Sequence, residues 1–348
     1  MHFTVIGAGA IGGTIGAHLA RAGHGVLMVD TVEEHVNAIE RSGLTIEGNR
    51  TFQVRVPAVT VAGLADALGG RPPEAVLLAV KAMHTIGALE PIVPLLGTDS
   101  FVVSMQNGLN ETVIAKRIGA EKTVGAFVNF GADYLGPGRI MYGGAGALYL
   151  GELDGRLSPR LQQLGVILKD AFLEHTTLTQ NIWGYLWGKL GYASMLFATA
   201  VVDETMAEVL ADPRCRSLLA NLAAEVVEVA DGEGVQSEGF DGYDPNAMRF
   251  ATPRDWDGIQ RSLDRLVAFN RHSLKQKSGI WRDLAVRRRR TEVDVQLGAV
   301  VDVGRRAGVR APLNEQLVAV IHDLEDGRRE MRRGNLDELR RLDEELYH

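Results

Sequence analysis

Residues 7–12 read Gly7-Ala8-Gly9-Ala10-Ile11-Gly12, a G-x-G-x-x-G turn. Such a turn can hold phosphate only where it follows a strand and opens a helix. Here it follows the apolar run 3–6 and precedes Ile11, Ile15, His18 and Leu19, which have helical spacing. Gly7 permits the tight turn, Gly9 lets the backbone approach a pyrophosphate, and Gly12 lets helix and strand pack closely. Ala8, Ala10 and Ile11 complete the segment, whose helix N-terminus offers N–H groups and a positive dipole end. Asp30 closes the next apolar run, 18 residues after Gly12. A carboxylate there accepts hydrogen bonds from ribose hydroxyls and repels a 2′-phosphate. Thr31, Val32, Glu33 and Glu34 follow it, with no arginine among them. NAD(H) is therefore expected over NADP(H). A ligand-free packing turn and an FAD site are the alternatives.

Three further residues have types that could do chemistry. Lys81 ends the apolar run 75–81, and strand ends of a parallel sheet face the ligand crevice. The alternative is a surface lysine. Asn107 follows the next apolar run, 101–105, on the same side; Asn107-Gly108 is also a turn dipeptide in its own right. Lys189 interrupts the apolar helical pattern of Trp183, Leu186, Trp187, Leu190 and Met195. Lysine is rarely buried without a partner or a task, and desolvation eases proton donation. An ammonium within hydrogen-bond reach of a carbonyl oxygen stabilises the charge that builds there and then supplies the proton. A lysine snorkelling at a helix edge is the alternative.

The elements that must position these residues change character along the chain. Runs at 3–6, Gly25–Asp30, 75–81 and 101–105 alternate with helical segments, which implies a parallel sheet. Segments 44–47 and 52–56 form an antiparallel pair, and 124–134 and 147–151 read as strands between glycine-rich turns. From 158 onward helices dominate, at 158–173, 181–200, 214–231, 256–277, 290–307 and 313–332. The stretch 235–256 is expected to be a mobile loop. The predicted class is α/β: a Rossmann-type dinucleotide-binding domain over 1–180, followed by an all-α substrate and dimerisation domain over 181–348.

Composition narrows the rest. The chain has 348 residues, 46% hydrophobic and 23% charged, with net charge −7. That is ordinary for a globular protein of about two domains. The acidic balance and 6% aromatics argue against a nucleic-acid partner. No apolar stretch reaches the ~18 residues of a membrane span, and no basic leader precedes an apolar segment. With one cysteine, Cys215, the expectation is a cytoplasmic protein with no membrane partner. Histidines such as His84 and His272 lack metal-ligand spacing, so no metal is expected. The arginine run at 287–290 reads as a solvated face; capture of an anion by Arg282 or Arg287 is its functional alternative.

These motifs together resemble the ketopantoate reductase (2-dehydropantoate 2-reductase) family over nearly the whole length. The pieces are residues 7–12, Val80-Lys81-Ala82, Gln106-Asn107-Gly108, Gly136-Pro137-Gly138, Gly151-Glu152, Trp187-x-Lys189-Leu190, Ser278 and Thr291-Glu292-Val293-Asp294. The resemblance implies a Rossmann domain followed by a helical domain, and hydride transfer between a nicotinamide and the carbonyl carbon of a 2-oxo acid. It implies Lys189 as general acid/base and Glu292 as a catalytic group binding the substrate hydroxyl or supporting the lysine. Asn107 would contact cofactor and substrate, Lys81 the cofactor, and Ser278 a substrate carboxylate. A homodimer is expected by the same analogy.

One departure bears on the substrate. The family's lysine helix carries asparagines four and eight residues after the lysine; here those positions are Ala193 and Phe197. Both are expected to shape a drier substrate pocket, which argues for a small 2-oxo or 2-hydroxy acid other than ketopantoate. The competing readings are an opine-type or other hydroxy-acid dehydrogenase on the same scaffold, and a non-catalytic NAD-binding regulator.

Overall fold

A computed structural model describes residues 1–272 and 275–347. The chain forms two compact units, Met1–Ile182 and Trp183–His348.

The first unit begins with β1 (His2–Ile6), α1 (Ala10–Arg21), β2 (Gly25–Asp30) and α2 (Glu33–Ser42). It continues through β3 (Leu44–Gly48), β4 (Phe52–Val54), β5 (Ala58–Thr60), α3 (Leu64–Leu68), β6 (Ala75–Leu78) and α4 (Thr85–Leu89). Then come β7 (Phe101–Ser104), α5 (Asn110–Ile118), β8 (Thr123–Gly136), β9 (Arg139–Glu152), α6 (Pro159–Ala171) and β10 (Thr176–Leu178). Six strands run parallel in the order β5-β2-β1-β6-β7-β8. That is the doubly wound order of two mononucleotide-binding halves, with its switch point between β1 and β6. β9 runs antiparallel to β8 and carries the sheet on to β3 and β4, while β10 pairs with β9.

Alternation along each strand builds two cores. Val5 and Leu77 pack with Ile15 of α1 and Leu164 of α6. Ile6, Val76 and Leu78 pack on the other face with Leu64, Leu89 and Ile114. Both faces are covered, so β6 and β7 are continuous apolar runs buried at every position. The expected strand 75–81 stops at Leu78. Its last paired group is the Ala79 N–H, which donates to Ile6 O at 2.8 Å before the chain turns against the glycine loop.

His18, in α1, is 2% exposed and sits edge-on to Phe52 with ring centroids 4.9 Å apart. Its Nδ1–H donates to the Thr14 carbonyl at 2.8 Å. Burial depresses its pKa to about 4 despite that bond. The unfolded chain therefore takes up this proton first on acidification. Stability is expected to fall by about 3 kcal/mol between pH 6.5 and 4 through this residue alone. Urea melts at both pH values should show that dependence shrink in His18→Leu; an unchanged dependence refutes the assignment.

The second unit is helical: α7 (Ile182–Thr199), α8 (Met206–Ala211), α9 (Arg216–Gly232), α10 (Trp256–His272), α11 (Gly279–Ala285), α12 (Ala299–Ala307), α13 (Pro312–Glu325) and α14 (Arg333–Tyr347). α9 is its buried centre, against which α12, α13 and α14 pack. Glu225 on α9 is fully buried and accepts from the Leu313 and Asn314 N–H groups, both at 2.9 Å, and from the Tyr347 hydroxyl at 2.7 Å. It thereby caps α13 and anchors α14, and desolvation raises its pKa in spite of these donors.

Several sequence expectations change here. The run 313–332 is not one helix: α13 ends at Glu325, and Gly327 takes φ +71° before α14 begins. The helix expected over 290–307 contains a π-turn, Asp294–Gly298. That expected over 256–277 ends at His272, and its positions 273 and 274 lie outside the described residues. The stretch 235–256 is packed rather than a free loop, because α7 offers it a face of small residues. Glu238 N–H donates to Gly184 O at 2.9 Å. A methyl at Gly188 would collide with the Glu238 carbonyl oxygen, and one at Gly191 would lie 2.5 Å from the Tyr243 hydroxyl. Phe240, Tyr243 and Met248 are buried. Gly188→Val is expected to cost about 1–3 kcal/mol through this overpacking. A thermal melt matching the wild type would show that the strap yields without cost.

Candidate active site

The first unit places its expected residues around the switch point. Gly7 adopts φ +91°, and a methyl there would lie 2.9 Å from Val80 Cγ1. A methyl on Gly12 would collide with the Gly7 carbonyl oxygen and lie 2.8 Å from Ala79 Cβ. Gly9 is the opposite case: among the described residues, nothing comes within 4 Å of a methyl built there. Two of the three glycines are thus required by packing, and the middle one by open space in front of the backbone. No side chain among the described residues caps α1, so its first-turn N–H groups face that space uncapped. The turn fits a pyrophosphate.

Ala8 is held at both of its polar groups. Its N–H donates to Asp30 Oδ2 at 2.9 Å, and its carbonyl accepts from His35 Nε2 at 2.8 Å. Asp30 Oδ1 accepts from Val32 N–H at 3.0 Å. A carboxylate has about four acceptor positions, so two remain for a pair of ribose hydroxyls. Behind it, Glu33 and Glu34 stand exposed at the start of α2.

Lys81 is half-buried, three residues past the end of β6, and precedes a short 3-10 turn, Ala82–His84. Asn107 is exposed in the turn after β7, where Gly108 takes φ +96°. A buried amide network ties the two segments together. Gln106 Nε2 donates to Val80 O at 2.9 Å and to the Thr85 hydroxyl at 2.8 Å, while Asn110 Nδ2 donates to Asn107 O at 2.6 Å. Sequence reasoning passed over Gln106 as a positioning group and did not find Asn110 or His35. Gln106 stood inside the quoted tripeptide; the other two had no local signal.

In the second unit, Lys189, Ala193 and Phe197 lie at successive i, i+4 positions of α7. Lys189 and Ala193 are half-buried, whereas Phe197 is fully buried. The glycine face of α7, strapped by 238–243, fixes how this helix is held. Ser278 is 5% exposed and caps α11, its Oγ accepting from Trp281 N–H at 3.1 Å. Glu292 is half-buried beside Thr291, whose N–H and hydroxyl both donate to Glu325 Oε1 at 2.7 Å. The π-turn begins two residues later. Such turns re-aim neighbouring side chains and recur at functional sites. Arginines of the 287–290 run are ion-paired: Arg287 and Arg289 with Asp283, Arg290 with Glu325 and Asp326. Among the described residues, no cluster of histidine, cysteine or carboxylate side chains could hold a metal, and no helix is long and apolar enough to cross a membrane.

Comparison with known proteins bears on both units. The ketopantoate reductase PanE/ApbA family model matches residues 3–155, and its C-terminal model matches 181–325. A 2-dehydropantoate 2-reductase of Mesorhizobium japonicum is 28% identical, covering 93% of this chain and 98% of its own length. One from Pyrococcus abyssi is 29% identical, covering 92% and 97%. Among solved structures, a PanE/ApbA family ketopantoate reductase from Ralstonia eutropha superposes with TM-score 0.77 at 25% identity, covering 94% of this chain and 99% of its own. The fold is also that of a D-mandelate dehydrogenase solved with NADH and anilino(oxo)acetate, with TM-score 0.79, 23% identity and the same coverage. With both family models matched in order along one chain, the protein belongs to the ketopantoate reductase family of nicotinamide-dependent oxidoreductases.

Proposed function

We propose that this protein reduces a small 2-oxo acid to the 2-hydroxy acid with NADH, Lys189 acting as the general acid. The observation that carries the reading is the glycine turn with Asp30 seated on it. Gly9 leaves room for a pyrophosphate, and Asp30 keeps acceptor capacity for ribose hydroxyls in a surrounding that is acidic rather than basic.

A nicotinamide, when bound, would supply the hydride for the carbonyl carbon. Residues 7–12 hold the diphosphate, and Asp30 selects the unphosphorylated ribose. Lys81 and Asn107, tied through Gln106 and Asn110, orient cofactor and substrate. Lys189 stabilises the negative charge building on the carbonyl oxygen and then protonates it. Glu292 accepts from the nascent hydroxyl or orients the lysine, and Ser278 binds the substrate carboxylate. The Ser278 hydroxyl can do so without leaving its capping bond, because it accepts from Trp281 and still has its own proton to donate. Ala193 and Phe197 replace polar groups with apolar ones, which favours a substrate less hydroxylated than ketopantoate. Phe197, having no exposed surface, acts by shaping the helix packing behind the pocket.

The test is oxidation of NADH and of NADPH with a panel of 2-oxo acids that includes ketopantoate, in both directions. Turnover of an apolar 2-oxo acid with NADH, exceeding that of ketopantoate, is the expected result. Tight NADH binding with no turnover on any 2-oxo acid would instead favour a regulator. A homodimer and residence in the cytoplasm belong to the same reading, and the mass from light scattering tests the first.

A further inference from the structure

The Ala8 peptide groups show how the phosphate turn is kept in shape. A trans peptide is planar, so its carbonyl and N–H point in opposite directions. Holding the Ala8 carbonyl at His35 therefore directs the Gly9 N–H to the far side of the turn. Holding the Ala8 N–H at Asp30 likewise directs the Gly7 carbonyl away from Asp30 and towards Gly12, where it leaves no room for a side chain. Two side chains thus fix two successive peptide planes of the turn.

His35 is 1% exposed and binds on both edges of its ring. Nε2 faces the Ala8 carbonyl at 2.8 Å, and Nδ1 faces the Gly138 N–H at 3.0 Å. A carbonyl needs a donor and an N–H needs an acceptor. The neutral Nε2–H tautomer alone satisfies both; the imidazolium would set one N–H against another at a buried ring. Gly138 sits at the tip of the β8–β9 hairpin, 103 residues further along the chain. There Gly138 takes φ +69°, and a methyl on it would lie 3.2 Å from Ala38 Cβ of α2. Tyr134 of the same hairpin packs edge-on to the His35 ring with centroids 5.1 Å apart. Burial and the Asp30 and Glu34 carboxylates push the Tyr134 phenol pKa up.

We infer that His35 is a positioning residue for the dinucleotide: as the neutral Nε2–H tautomer, anchored on the β8–β9 hairpin tip, it holds the Ala8 carbonyl so that the Gly9 N–H is set for the pyrophosphate. This rests on the cofactor reading above. It adds that the hairpin, which carries none of the expected cofactor contacts, governs nucleotide affinity.

The experiment is fluorescence titration of NADH, with NADPH alongside, into wild type, His35→Phe and His35→Gln, each checked by circular dichroism. Phe fills the space and removes both hydrogen bonds; Gln can donate to Ala8 and accept from Gly138. The expected result is a Kd for NADH raised about tenfold or more in His35→Phe and restored to within about threefold of wild type in His35→Gln. A purely packing role predicts the reverse order, since Phe keeps the ring. Imidazole 15N shifts of the wild type should show a protonated Nε2 and an unprotonated Nδ1 at neutral pH, and this reading does not depend on any variant folding. The inference is overturned if His35→Phe binds NADH as the wild type does, if His35→Gln binds no better than His35→Phe, or if the 15N shifts report the other tautomer. Failure of the wild type to bind either nucleotide would instead overturn the cofactor reading itself.

Discussion

Lys189→Ala is expected to lower kcat for the preferred 2-oxo acid by about 10²–10⁴, the range a positioned general acid supplies. The same variant should bind NADH within about twofold of wild type, because the lysine is assigned to the carbonyl oxygen and not to the dinucleotide. Lys189 is half-buried in a helix whose neighbours Leu186, Trp187 and Leu190 are all buried. A charge there is costly to keep without a partner or a task, and the proposed reduction of a carbonyl would be such a task. Lys189→Arg keeps the charge but not the proton donor at neutral pH, so it should recover little of the lost kcat. A steady-state assay with both variants separates the two contributions. Turnover undiminished in Lys189→Ala would remove the lysine from the mechanism.

The second large effect concerns cofactor choice. Wild-type kcat/KM is expected to favour NADH over NADPH by about 10²-fold. A 2′-phosphate placed at Asp30 would meet a carboxylate already fixed by Ala8 and Val32, with Glu33 and Glu34 behind it. At an effective dielectric of about 20, like charges ~4 Å apart repel by about 4 kcal/mol, and solvent screening brings that towards the stated ratio. Asp30→Ser should narrow the ratio to within about tenfold, mainly by raising KM for NADH, because serine keeps an acceptor for the turn but loses the charge. A wild type that prefers NADPH would refute the role given to Asp30.

The candidate residues were legible to different degrees. The turn at residues 7–12 could be read because two of its glycines answer local needs: a positive φ at Gly7 and close packing at Gly12. The alternation of apolar runs with helical spacing also gave the doubly wound sheet, since β6 and β7 are buried on both faces. The stretch 235–256 misled because its Gly, Asp and Pro residues are those of an exposed turn. It packs against small residues on α7, some fifty positions earlier. α14 escaped notice because Asp326-Gly327 and the arginines after it hid a new helix start.

By itself, the sequence determined most of this protein's elements and its family, because backbone geometry and apolar periodicity act over a few residues. Only the tertiary structure decided that a histidine on a polar helix holds the glycine turn, that Gln106 ties Lys81's segment to Asn107's, and that α7 is strapped along its glycine face. Each of those depends on which donor meets which acceptor across 21 to 103 residues of chain, or on which backbone fits which groove. Hydrogen-bond partners at that range are chosen by the packing of the sheet and helices, and the local pattern carries no record of them.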